Sequence, residues 1–319
     1  SQQIAPAAYE AYLKGRYLWN KRTKKAIQES IQEFQIAVDL DPSYALAYSG
    51  LADTHLLVPL YCPELPPQEA IREAKSAVLK ALEIDESLVQ AHVSLGMILM
   101  LFDQDWEAAE REFQRAIADG PGYSTAHHWY AEYLAAVGRV EESIAEMIIA
   151  RHLDPLSAVI EVDYSEKLIY ARRYDEAVDN LHRTLETWPE FGFAHLMLGD
   201  AYAAKSMWPE AIAEYERGMD LGNVASVRRL GRAYAAGERT EEALNLVQRL
   251  EGQDPVNSTA LALAFLGLGE MDRTFQLLEI SVGEAPWHLR TLKVDPIYDP
   301  LRSDPRFGDL LRRMNLLEE

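Results

Sequence analysis

The sequence predicts an all-α protein: a solenoid of about eight helix-turn-helix repeats, closed at its carboxyl end by a capping helix. Three observations lead to this prediction. One pattern recurs without insertion at an interval of 34 residues between residues 124 and 223, a period that indicates stacked pairs of antiparallel helices. Small side chains recur at two fixed places of the pattern, with apolar side chains around them at helical spacing. Prolines follow the second helix in two of the three regular units.

The small residues have a steric reason, because two antiparallel helices approach closely only where the side chains at their crossing are small. Pro155 and Pro189 then bias the preceding residue away from helical geometry and favour a turn. A single pair cannot bury its own apolar face, so neighbouring pairs must stack. The crossing residues are Ala131, Ser165 and Gly199 in the first helices and Ser143, Ala177 and Ala211 in the second helices.

The same pattern extends in both directions. After a loose lead-in, residues 1–6, we expect the array over residues 7–286, and then an irregular segment and the capping helix in residues 287–319. The capping helix begins at Asp304-Pro305 and places one apolar stripe on its surface: Phe307, Leu310, Leu311 and Met314. The repeats are expected at approximately residues 7–42, 45–86, 89–121, 124–155, 158–189, 192–223, 224–255 and 256–286.

Three early repeats deviate from the regular units. The first repeat is expected to have a stretched basic turn at residues 21–25. The third repeat is expected to have one extra residue in its turn. In the second, residues 59–67 contain four prolines and Cys62. Because proline does not continue a helix, this stretch is predicted to be a projecting loop. It is either a tolerated insertion or a lid or docking loop.

Composition excludes several classes of protein. The chain has 31 Lys and Arg against 51 Asp and Glu, a net charge of −20, which repels phosphate backbones and anionic lipids. We therefore expect no nucleic-acid binding. The longest apolar stretches are about half of the roughly 18 residues that suggest a membrane span, so no membrane insertion is expected. A single cysteine, Cys62, excludes an intramolecular disulfide and a cysteine zinc cluster.

The chain begins at Ser1 without a methionine or a secretory signal, which suggests a fragment of a longer protein. We expect it in the cytoplasm, or in the periplasm if the parent protein is anchored in a membrane. No phosphate loop, metalloprotease motif or nucleophile elbow occurs in the sequence. We therefore expect that the chain is not an enzyme and needs no cofactor or metal. His92, His127 and His195 recur at one place of successive repeats, which indicates a structural role.

The recurring small residues, aromatics and turn prolines resemble those of tetratricopeptide repeat proteins over about residues 7–286, which implies a right-handed superhelix. The two ends resemble a narrower group. Residues 8–17 read AYEAYLKGRY and precede the stretched turn, and residues 292–307 read LKVDPIYDPLRSDPRF. Both are similar to the carboxy-terminal repeat regions of large bacterial signalling proteins. There a winged-helix DNA-binding, adenylate/guanylate cyclase or serine/threonine kinase domain precedes the array, so the resemblance implies bacterial signalling or transcriptional regulation.

The resemblance also implies that the first helix of each repeat lines a concave groove. Acidic groups mark the middle of this surface, apolar groups surround them, and arginines stand at both ends. This pattern predicts a protein or peptide partner with apolar anchors and basic residues. In a competing interpretation, many of these side chains only pack against neighbouring helices. The predicted exposed contact residues are Tyr12, Arg16, Trp19, Asp53, Met97, His128, Glu132, Glu166, Tyr170, Asp200, Arg228 and Arg232.

The leading hypothesis for function is a non-enzymatic protein–protein interaction module. Its groove would bind a peptide or helix of another protein, or another domain of the same parent. The alternative is a ligand-sensing regulatory domain, in which a small molecule in the groove controls an upstream DNA-binding or catalytic domain. A closed pocket near Met97, His128 and Tyr170 favours the sensor, and an open trough favours the peptide.

Overall fold

A computed structural model describes residues 4–62, 65–223, 225–253 and 256–317. Two expected repeat boundaries, Val224 and Pro255, and residues 63 and 64 of the expected loop lie outside them. Every regular element of the described residues is helical, and the chain divides into two compact units, Ser1–Tyr133 and Leu134–Glu319. The α-helices are α1 (Pro6–Asn20), α2 (Lys24–Leu40), α3 (Ala45–Tyr61), α4 (Pro67–Ile84), α5 (Val89–Ile98), α6 (Trp106–Asp119), α7 (Ser124–Ala136), α8 (Val140–Leu153), α9 (Ala158–Tyr170), α10 (Tyr174–Thr187), α11 (Gly192–Ala204), α12 (Trp208–Asp220), α13 (Ser226–Ala236), α14 (Thr240–Glu251), α15 (Ser258–Gly267), α16 (Met271–Glu284) and α17 (Pro305–Arg313).

Consecutive helices pack as pairs, for example α1 with α2, α3 with α4 and α11 with α12. The first helices of successive pairs also pack on one another. In the first unit α1 contacts α3 and α3 contacts α5, and in the second unit α9 contacts α11, α11 contacts α13 and α13 contacts α15. The predicted fold class, an α-solenoid of helix-turn-helix repeats, is confirmed.

Small residues allow close contact between the two helices of a pair and between neighbouring pairs. A Cβ atom added at Gly199 of α11 would lie 2.5 Å from the ring of Tyr215 in α12, and one added at Gly50 of α3 would lie 2.3 Å from the ring of Phe34 in α2. Both distances are shorter than a non-bonded carbon contact allows, so a larger side chain at either place would separate the helices. The corresponding residues Ala131, Ser165, Ser143, Ala177 and Ala211 are fully buried.

The turns inside the fourth to eighth repeats each use a residue with left-handed backbone geometry. Gly138 and Gly269 have φ angles of 92° and 79°, in a region where glycine is not strained. The same geometry is adopted by Arg172, Ser206 and Glu238, with φ angles between 60° and 64°. These side chains incur a steric cost that glycine avoids.

The extra residues of the first two repeats lengthen helices, which corrects two expectations. The turn between α1 and α2 covers residues 21–23 and is as short as the turn at residues 137–139, whereas α1 has 15 residues against 13 in α7. In the second repeat α3 continues through Pro59 to Tyr61, and α4 begins at Pro67. Pro59 is tolerated because it lies in the last turn of α3, where its missing N–H interrupts the helix only near its end.

The extra residue of the third repeat is accommodated within a helix as well. Residues Leu99–Asp103 form a π-helical turn directly after α5, and Gln104 ends it with a φ of 52°. A π-turn absorbs one inserted residue while the helix keeps its direction. The insertion that was expected in the turn therefore lies at the carboxyl end of the first helix.

The carboxyl end of the chain packs against the second unit. Two short 3-10 helices, Pro286–Leu289 and Pro296–Leu301, precede α17. Helix α17 packs on α16, and the Arg306 guanidinium pairs with Asp272 at 2.8 Å while lying 4.2 Å from the centre of the Phe275 ring. The apolar stripe of α17 is buried: Phe307, Leu310, Leu311 and Met314.

No described helix is long and apolar enough to cross a bilayer.

Candidate functional site

In the first unit, two predicted contact residues form a buried ion pair. The Nη1 atom of Arg16 in α1 lies 2.9 Å from Oδ2 of Asp53 in α3, and Ser94 of α5 donates to Oδ1 of Asp53 at 2.6 Å. Asp53 is 2% exposed. Its burial raises the pKa of its carboxyl group, and the charge of Arg16 offsets only part of that increase. The pair therefore joins three successive first helices through groups that already satisfy one another.

Trp19 lies beside this pair and closes the inner side of the first unit. Its Nε1 donates to the backbone oxygen of Asp53 at 3.2 Å, and its ring centre lies 6.1 Å from that of Trp129. The guanidinium groups of Arg16 and Arg22 stand 4.5 Å and 3.7 Å from its ring. Each such contact stabilises a cation over an aromatic face. Trp19 is 3% exposed, so its indole contributes to packing in this conformation.

The expectation that the predicted contact residues are exposed is wrong for half of them. Tyr12, for example, is partly exposed but packs its ring 5.8 Å from Phe34 and 5.3 Å from Tyr44. The partly exposed residues are Tyr12, Arg16, Met97, Asp200, Arg228 and Arg232, and the buried ones are Trp19, Asp53, His128, Glu132, Glu166 and Tyr170.

In the second unit, the chain's own residues 286–301 lie across the first helices. We call these residues the C-terminal segment. Val294 forms a buried apolar cluster with Ala135 of α7 and Tyr170 of α9. Asp299 pairs with Arg172, which follows α9, at 2.7 Å. The inner surface of this unit, formed by its first helices, is therefore already occupied by a peptide stretch.

The strongest anchor of the C-terminal segment is an arginine between two aspartates. Arg229 of α13 places Nη2 3.0 Å from Oδ2 of Asp295 and Nε 3.1 Å from Oδ1 of Asp200. Tyr215 donates to Asp200 at 2.7 Å. Burial raises the pKa of the Asp200 carboxyl to about 6, since the favourable charge of Arg229 is partly cancelled by the nearby charge of Asp295. Asp295 also accepts from the backbone N–H of Ile297 at 2.9 Å, which caps the second 3-10 helix.

Glu166 on α9 faces cationic groups. Lys167 donates to it at 2.5 Å, and Arg290 of the C-terminal segment lies close enough to act on it electrostatically. Burial alone would raise the pKa of Glu166, but the charges of Lys167 and Arg290 outweigh burial and hold the pKa below its usual range. The predicted acidic centre of the groove thus interacts with a basic residue of the chain itself.

Two arginines on α13 lack a carboxylate partner among the described residues. Arg228 contacts Nε2 of His288 at 3.4 Å, and burial together with the charges of Arg229 and Arg290 lowers its pKa to about 10. Arg232, one turn later, lies over Trp208 with its guanidinium 5.7 Å from the ring centre. Both residues were predicted at the arginine-rich end of the groove.

The recurring histidines make the same contacts in different repeats. His92 Nδ1 lies 2.6 Å from the carboxylate of Glu112, and its Nε2 lies 2.9 Å from the backbone oxygen of Glu86. His195 Nδ1 lies 2.6 Å from Glu214. His92 and His195 thus link a first helix to its second helix, and Nε2 of His127 lies 3.0 Å from the backbone oxygen of Pro121. These contacts agree with the structural role expected from the recurrence.

Sequence reasoning missed the residues that fasten the C-terminal segment, above all Arg229 and Asp295. The residues of the Arg229–Asp295 pair are 66 positions apart and those of the Arg172–Asp299 pair are 127 positions apart. No local sequence pattern indicates such distant partners. One signal was available: residues 286–301 contain many apolar side chains and four charged ones but lack the repeat pattern. Such a stretch has to find its apolar partners elsewhere in the chain.

The comparisons with known proteins agree with this architecture. A family model described as tetratricopeptide repeat matches residues 101–157 and 167–226. None of the curated proteins compared with the chain matches it. The solved structure of the APC/C hetero-tetramer Cut9–Hcn1 is 15% identical, with a TM-score of 0.64 over 94% of this chain and 54% of the other, so the chain spans about half its length.

Two further solved structures are similar. Yeast Tom70 is 15% identical, with a TM-score of 0.52 over 98% of this chain and 69% of its own. A tetratricopeptide repeat protein from Parabacteroides merdae is 14% identical, with a TM-score of 0.54 over 83% of this chain and all of its own. At these identities the three structures show the fold alone.

Paired helices that stack through their first helices define an α-solenoid, a fold typical of protein–protein interaction scaffolds. Within it, residues 101–157 and 167–226 of the chain match tetratricopeptide repeats.

Proposed function

We propose that the chain is a non-catalytic interaction module, and that the inner surface of its second unit recognises a peptide with apolar anchors and basic residues. The resemblance of its two ends to repeat regions of bacterial regulators supports a place in a signalling or transcriptional protein. The partner is then another protein or another domain of the same parent.

One observation supports this proposal above the others. The C-terminal segment has the composition predicted for the partner, with apolar residues such as Leu292 and Val294 beside the basic residues Arg290 and Lys293. Leu292 is fully buried, and Arg290 lies in the field of Glu166. An external peptide of the same chemistry would make the same contacts by replacing the segment.

The binding mechanism follows from effective concentration. A segment joined to its own groove competes at a concentration on the order of millimolar, so an external partner must bind more tightly or find the segment already released. The intact chain therefore holds its inner surface closed to weak, non-cognate peptides. Signals that weaken the anchors of the segment would open the surface.

A labelled copy of residues 286–303 tests the proposal when added to two forms of the full chain. The wild-type chain should bind the peptide weakly, because its own segment competes. A chain with Asp295→Ala and Asp299→Ala has lost two anchors and should bind the peptide at least tenfold more tightly. A peptide with Arg290→Glu and Lys293→Glu is the matched control and should not bind either chain.

Fluorescence anisotropy measures both affinities, and circular dichroism checks that the variant chain keeps its helices. A folded variant that binds neither peptide would show that the groove does not recognise this chemistry. Equal binding of the basic and the charge-reversed peptide would show that the acidic residues of the groove do not select the partner.

A further inference from the structure

A cavity of about 200 Å³ lies between the C-terminal segment and the first helices α11 and α13. Its apolar walls come from both sides, with Ile297 and Pro300 on the segment and Ile169 and Trp208 on the repeats. The cavity is formed entirely by the second unit. It exists only while the C-terminal segment is docked, since the segment supplies one wall.

Most charged groups at this cavity have an ion-pair partner. Arg229 lies between Asp200 and Asp295, and Asp299 accepts from Arg302 at 2.7 Å as well as from Arg172.

The exception is Arg232. Among the described residues no carboxylate lies within ion-pair distance of its guanidinium, which stands over the face of Trp208. Burial lowers the pKa of Arg232, and the charges of Asp295 and Asp200, which lie beyond ion-pair distance, offset only part of that decrease. An anion in the cavity would supply the missing partner, and a carboxylate suits a guanidinium because both are planar and can form two parallel hydrogen bonds.

The walls decide what kind of anion fits. Inorganic phosphate would leave the isoleucine, proline and tryptophan surfaces without apolar contact, whereas an aromatic ring would cover them. An apolar cavity of about 150 Å³ holds one benzene ring, so about 200 Å³ has room for one ring and a carboxylate. We propose that this cavity binds a free one-ring aromatic monocarboxylate, with its carboxylate on Arg232 and its ring against Trp208. This site depends on the docked segment and not on peptide binding.

Benzoate is the probe, and benzamide is its neutral control of nearly the same shape. Calorimetric titration of the wild-type full chain should give an affinity for benzoate at least about tenfold higher than for benzamide, because a hydrogen bond to a charged group is lost with the amide. The substitution Arg232→Gln should reduce benzoate affinity to the level of benzamide. Arg249→Gln, on the exposed side of α14, should leave both affinities unchanged.

A second variant keeps the test decisive if Arg232→Gln does not fold. Ala204→Leu fills the cavity from α11 and should abolish binding of both probes while Arg232 remains. Equal affinity of the wild-type chain for benzoate and benzamide would overturn the proposal. So would benzoate binding that survives Ala204→Leu, or an absence of saturation at millimolar benzoate.

Discussion

Replacing Asp295 with alanine tests whether the C-terminal segment is fastened by the pair with Arg229. Breaking a buried ion pair by removing one partner costs about 3–5 kcal/mol. In the variant, Arg229 still has an ion pair with Asp200 at 3.1 Å. We therefore expect about half of the full cost of breaking the pair, roughly 2 kcal/mol. Loss of the cap on Ile297 adds about 1 kcal/mol. The expected total is about 3 kcal/mol, or about a hundredfold more frequent opening of the segment.

The control lies in the same segment. Asp299 pairs with Arg172 and Arg302, but these side chains are 30–43% exposed, and exposed pairs contribute about 1 kcal/mol or less. Asp299→Ala should therefore increase opening about fivefold at most.

Hydrogen–deuterium exchange over residues 286–301 is the assay, because repeat arrays unfold in parts and a global transition would mix them. If Asp295→Ala accelerates exchange no more than Asp299→Ala, the buried anchor is not what holds the segment.

Three further predictions concern single groups. The carboxyl group of Asp200 has a pKa of about 6 in the folded chain, so near pH 5 it holds a proton that it releases in the unfolded chain. The free energy of unfolding should therefore fall by about 1 kcal/mol from pH 5 to pH 7. Asp200→Asn should remove this part of the slope in urea unfolding. Glu238→Gly should raise the melting temperature, since relief of left-handed strain gains about 0.5–1 kcal/mol; Glu238→Ala is the control and should not. Asp53→Ala removes the carboxylate that pairs with Arg16 and should lower the free energy of unfolding of the first unit by about 3 kcal/mol. Urea unfolding measures this change, and the exposed control Asp119→Ala should cost less than about 1 kcal/mol.

The array could be predicted from sequence because its determinants are local and repeated. A small residue such as Gly199 and its aromatic neighbour Tyr215 lie within one pair of helices. The small place recurs at the same position of each regular repeat. The first two repeats were misjudged for a related reason. Extra residues and a proline such as Pro59 were assigned to loops, although a helix can absorb them in its last turn and gain further buried contacts.

The site was harder to predict because burial of a first-helix residue depends on distant parts of the chain. Periodicity places Glu166 and Asp200 on the inner side of their helices. It cannot reveal that Arg290 and Asp295, more than 90 residues later, lie against them. The composition of the groove did not reveal that a segment of the same chain lies against it, or that acidic residues of this segment, Asp295 and Asp299, form ion pairs with the repeats.

The two proposals together predict a coupling that neither predicts alone. If an aromatic acid binds only when the C-terminal segment is docked, and an external peptide binds only when it is released, each ligand must oppose the other. At a benzoate concentration ten times its dissociation constant, peptide affinity should fall about elevenfold. In the Arg232→Gln chain the peptide should bind as before, but benzoate should no longer weaken it. If saturating benzoate leaves the peptide affinity of the wild-type chain unchanged, benzoate binding does not require the docked segment.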